Sequence, residues 1–134
     1  MTFLQARSQY LRAASNDVVV NDNPHEIILV TLRELERSMR VLVAAQAAGT
    51  PAPDSHLNRA FTAIYILQSS LDFEVGGEIA TNLFRVYEYC RQQVVKVFQK
   101  QPAPELLQAV EHIASIVAAW QDIGAKPASR AANF

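Results

Sequence analysis

In the stretch NPHEIILVTLRELERSMRVLVAAQAAG, residues 23–49, apolar side chains recur at intervals of three and four. Ile28, Leu32, Leu35, Met39 and Leu42 fall on one side, and Arg33, Glu36, Arg37 and Arg40 on another. That period belongs to an amphipathic helix whose greasy stripe faces a core. The flanks agree with it. Asn23 can cap the first turn, Pro24 suits the position whose N–H has no partner, and Glu26 can reach back toward the start. Glu36 and Arg40 form an i,i+4 pair. Gly49 can take the left-handed conformation that ends a helix, and Pro51 and Pro53 prevent continuation.

Working outward, the same grammar repeats. Asp54 or Ser55 is placed to cap a second helix running from about Ser55 to Leu71, with Leu57, Phe61, Ile64, Gln68 and Leu71 as its core stripe. Tyr65, Ile66 and Leu67 add apolar surface on its other sides, so the helix is either central or awaits a partner. Gly76-Gly77 breaks the pattern, and a third helix follows from roughly Glu78 to Lys100. Its stripe is Ile79, Leu83, Val86, Tyr87, Cys90, Val94 and Val97, opposite Arg85, Glu88, Gln92 and Lys96. Pro102 and Pro104 precede a fourth helix carrying Leu106, Leu107, Val110, Ile113, Val117 and Trp120, which ends at Gly124. Short joints favour antiparallel neighbours, so the expected fold is all-α, an antiparallel four-helix bundle over residues 23–124. Residues 1–22 show no sustained stripe and read as an N-terminal arm; residues 125–134 read as a loose tail.

Composition narrows the function. The chain has 134 residues, half of them hydrophobic, with 12 Lys and Arg against 13 Asp and Glu. That length suits one domain, and near-balanced, dispersed charge argues against nucleic-acid binding. No apolar run is long enough to span a bilayer, which argues against membrane insertion. A single cysteine and the absence of a secretory-type start favour a reducing cytoplasm.

Catalytic chemistry finds no foothold in the pattern. No Glu in the helices is followed three residues later by His, as a di-metal bundle would need. His25, His56 and His112 stand singly and read as solvated or locally bonded, so neither a metal nor a cofactor is expected. Cys90 falls on an apolar stripe without a CxxC partner and reads as a small core residue rather than a nucleophile. Gly76-Gly77 lacks the spacing and the preceding strand of a phosphate loop and reads as a turn between helices. Asp72, Glu74 and Glu78 beside it suit the positive end of a helix dipole. Binding is what remains, and the apolar excess of the second helix, with Phe73 and Phe84 nearby, either completes the core or meets a partner.

The run from Leu67 to Leu83, LQSSLDFEVGGEIATNL, continued by Val86-Tyr87-Glu88-Tyr89, closely resembles the signature of the flagellin export chaperones, the FliS family. Tyr10 in the arm, Pro24 followed by Ile27-Ile28-Leu29, and Trp120 late in the last helix are similar to further landmarks, so the resemblance covers Tyr10 to Trp120. Thr31-Leu32-Arg33-Glu34 and Ile66 depart from the usual pattern, which makes the first helix more charged and the second greasier. The resemblance implies a cytoplasmic, ATP-independent chaperone that binds the disordered C-terminal segment of flagellin, prevents early polymerisation and serves the flagellar type III export apparatus. It also implies that the arm can occupy part of the binding groove. Tyr10 and Leu11 are accordingly expected to lie over that groove in the free protein. Tyr65, Ile66, Phe73 and Phe84, which lie off the core stripes, are expected to meet the client. The alternatives are a self-associating module, whose greasy face builds a homodimer, and a paralogous chaperone for another exported axial protein.

Overall fold

The computed structural model describes residues 23–124, and the expected positions Tyr10 and Leu11, the arm and the tail lie outside them. Four helices follow in order: α1 (Pro24–Ala48), α2 (Asp54–Ser69), α3 (Phe73–Phe98) and α4 (Leu106–Gly124). Each packs on the next, and α4 closes the ring against α1. Phe61 of α2 meets Phe98 of α3, while Gln68 meets Glu88, so numbers rise along one helix as they fall along the other. The arrangement is the antiparallel four-helix bundle that the periodicity predicts.

The helix ends are chemically specified. Asn23 accepts a hydrogen bond from the His25 N–H at 2.9 Å, and Gly49, at φ 70°, closes α1 with its N–H on the Ala45 and Gln46 carbonyls. α2 differs from expectation: Pro53 occupies the cap position, and neither Asp54 nor Ser55 supplies a side-chain cap. The Pro53 carbonyl accepts from the N–H groups of His56 and Leu57, which starts the helical ladder. Gln46 braces the α3–α4 joint, donating to the Ala103 carbonyl and accepting from its N–H.

Leu32, Leu35, Met39 and Leu42 of α1 are fully buried, facing Ala60, Ala63, Ile64 and Leu67 of α2 and Leu106, Val110 and Ile113 of α4 within one core. Removing a Leu side chain from such a site costs about 2–5 kcal/mol. Ile28, Phe61, Leu71, Leu83, Val86 and Val97 of the expected stripes are partly buried and pack against this core. Two apolar stripe positions are corrected by the structure. Leu107 is half-exposed, turned from the inward arc that Leu106 occupies, and Ile79 is half-exposed directly after the break at Gly77.

One end of the bundle is tied by residues 95 positions apart. His25 Nε2 lies 2.7 Å from the Trp120 carbonyl, Trp120 Nε1 donates to the His25 carbonyl at 3.0 Å, and the two rings stack. The buried indole N–H and the His25 Nε2 thereby each have a hydrogen-bond partner. His25 is buried in this clasp, where the sequence suggests a solvated or locally bonded side chain. Gly124 lies so close that a Cβ added to it would overlap the His25 ring.

Candidate functional site

The geometry of the candidate face begins at the α2–α3 joint. Ser70 ends α2 with its hydroxyl and its N–H both donating to the Ile66 carbonyl. Asp72 then caps α3, its carboxylate accepting from the N–H groups of Glu74 and Val75 at 3.0 Å each. One turn later Gly77 adopts φ 52° and ψ −123°, a backbone state that side-chain-bearing residues avoid. The consequence is measurable in the aromatic rings. Phe73 and Phe84, eleven residues apart, would be about 17 Å apart along a straight helix, yet their centroids stand 6.1 Å apart, edge to face. The break anticipated at Gly76-Gly77 folds the first turn of α3 back against the rest of the helix.

Around that fold large apolar groups stand in solvent: Tyr65 at 62%, Phe73 at 50%, Val75 at 68%, Ile79 at 52% and Phe84 at 40% exposure. The structure therefore brings Tyr65, Phe73 and Phe84 to the same end of the bundle as uncovered groups. Ile66 is corrected. It is 3% exposed, turned about 100° from Tyr65, and so is not an uncovered group. Val75 and Phe98 were not singled out by sequence. Phe98 lies 63% exposed at the far end of the same helix pair, with Phe61 packed edge-on at 6.1 Å. The available signal was its spacing, fourteen residues after Phe84.

Between these aromatic ends lies a polar cluster. Gln68, which belongs to the expected core stripe of α2, is only half-buried and donates across to the Glu88 carboxylate at 3.2 Å. Arg91 donates to the same carboxylate through Nε at 2.8 Å and through a second guanidinium nitrogen. Those Arg91 hydrogen bonds, helped by Gln68, hold the Glu88 pKa down to about 2.

The remaining polar groups are built into the scaffold. Burial pushes the Cys90 thiol up to about 12, so it stays protonated at neutral pH, and the Tyr87 hydroxyl is likewise shifted up by burial. His56 Nδ1 lies 3.3 Å from the Ser38 hydroxyl, and His112 packs edge-on against Tyr89. Among the described residues no group of three His, Cys, Asp or Glu is placed to hold a metal ion, and no helix is long and apolar enough to cross a membrane.

Comparison with known proteins places these features in a family. The model of the family described as flagellar protein FliS matches residues 6–127. The flagellar secretion chaperone FliS of Vibrio cholerae is 30% identical over 102 residues, 75% of either chain. FliSB of Pseudomonas aeruginosa is 27% identical over 124 residues, covering 92% of this chain and 98% of its own, and FliS of Salmonella typhimurium is 25% identical over 119 residues, 87% and 88%. No solved structure matches. A family match spanning nearly the whole chain, on an all-helical bundle with the Asp72–Gly77 fold-back, makes this protein a member of the FliS family of flagellar secretion chaperones.

Proposed function

We propose that this chain is a cytoplasmic, ATP-independent export chaperone that captures the disordered C-terminal segment of flagellin, keeps it from polymerising early and presents it to the flagellar type III export apparatus. The carrying observation is the exposure of Tyr65, Phe73, Val75, Ile79 and Phe84 at the end of the bundle where α3 starts, with Phe73 folded back onto Phe84. A disordered client pays ordering entropy on capture, and burying such side chains offsets it. Secretion chaperones as relatives supply the setting. Tyr10 and Leu11 of the arm would compete for the same face.

A flagellin C-terminal peptide titrated into the full chain tests the reading. It should bind with a negative heat-capacity change, gain helix and depend only modestly on salt, since the surface is apolar. Absence of binding, with another exported axial protein bound instead, would reassign the client. Light scattering that shows a dimer unaffected by peptide would favour self-association of the same face.

A further inference from the structure

The third helix carries a second regularity. Phe84, Arg91 and Phe98 are spaced by sevens and therefore share one stripe of α3; Phe61 and Gln68 have the same spacing on the facing side of α2. The contacts follow this ladder: Phe73 on Phe84, Gln68 on Glu88 with Arg91, and Phe61 on Phe98. Fourteen residues of helix separate the two aromatic stations by about 21 Å, with Arg91 at the midpoint and Glu88 about one turn from Phe84. Phe98 of the second station also lines a cleft of about 710 Å³ between the ends of α1, α2 and α3, where Leu42, Leu57 and Val97 stand beside the polar Gln46, Asp54 and Lys100.

We propose that the α2–α3 face reads its client in two apolar stations and one polar checkpoint: it accepts an amphipathic helix with apolar anchors about four turns apart and a neutral hydrogen-bonding residue between them, facing Gln68, Glu88 and Arg91. The proposal rests on the reading that this face binds the client. A seven-residue ladder matches the repeat along which a second helix can lie at a shallow angle. The middle requirement is electrostatic. Glu88 and Arg91 are already matched in charge, and Arg91 remains 44% exposed with guanidinium N–H groups beyond those directed at Glu88. Covering that pair with apolar surface would strip water from two ions. A charged client residue would attract one and repel the other. A Gln or Asn amide can accept from Arg91 and donate to Glu88 without adding charge, and a site built for hydrogen bonds rejects the analogue that lacks them.

Two synthetic amphipathic peptides test this against the full-length protein. Both carry leucine anchors fourteen residues apart and differ only at the midpoint, Gln in one and Leu in the other. The wild-type chain should bind the Gln peptide about tenfold or more tighter, and a Gln68→Leu/Glu88→Leu/Arg91→Leu variant, confirmed helical, should reverse the order; a single Gln68→Ala variant should narrow it. Equal affinities, a wild-type preference for the Leu peptide, or a preference that survives the triple substitution would overturn the checkpoint. If neither designed peptide binds while the flagellin peptide does, this proposal fails alone. If none of the three binds, the reading of the face falls with it.

Discussion

Helices α1 and α3 are nearly equal in length, 25 and 26 residues, and both are amphipathic, but α1 buries ten side chains and α3 only five. In α1 the stripe from Leu32 to Leu42 disappears completely into the core. In α3 Ala80, Tyr87, Cys90 and Val94 are buried, Leu83, Val86 and Val97 are partly buried against the core, and Phe73, Val75, Ile79, Phe84 and Phe98 stand exposed. Periodicity records how many apolar residues a helix has; the neighbours decide how many are covered. The surplus on α3 is what separates a helix that only holds the bundle together from one that also offers a surface.

Substitutions should divide along the same line. Trp120→Ala removes a buried ring from the clasp with His25 and should lower stability by about 3–5 kcal/mol in denaturant unfolding, whereas Phe98→Ser on the exposed stripe should cost less than about 1 kcal/mol. Similar losses at both positions would break the contrast. Gly124→Ala sharpens it, since the new methyl must displace a His25 ring held by its hydrogen bond to Trp120; about 1–3 kcal/mol of overpacking strain is expected, read as a lowered unfolding midpoint.

The smallest effect belongs to Glu88→Gln, at most about 1 kcal/mol because the pair with Arg91 is solvent-screened. Its pH dependence carries the information. A carboxylate held below its ordinary value stabilises the fold fully above that value and loses the contribution as pH falls toward 2. The gap between wild type and variant should therefore be constant from pH 7 to about 5 and shrink on acidification, as stability curves at stepped pH would show. A gap that grows on acidification would contradict the ion pair.

Much of this was legible in the chain itself. Asn23, Gly49 and Pro51 mark helix ends through local backbone chemistry, and the three-four spacing of Leu32, Leu35, Met39 and Leu42 needs no partner to be read. What local pattern does not contain is the choice among competing neighbours. The His25–Trp120 clasp joins residues 95 apart, and the Gln68–Glu88 bond depends on how α2 sits on α3. Gly76-Gly77 announces a break, but the positive φ that sets Phe73 on Phe84 resides at Gly77 and was not distinguishable from an ordinary turn. Ile66 and Tyr65 are adjacent in sequence and equally apolar in pattern; one helical step puts the first inside and the second outside.

The exposed half of α3 is the centre of the account, and Phe84→Asp addresses it most directly. The variant should unfold at nearly the wild-type midpoint, because Phe84 is 40% exposed, and calorimetric titration with the flagellin C-terminal peptide should show affinity reduced by about a hundredfold or more, since a carboxylate would enter a dehydrated contact. A folded Phe84→Asp protein that binds the peptide as tightly as wild type would contradict the assignment of this face.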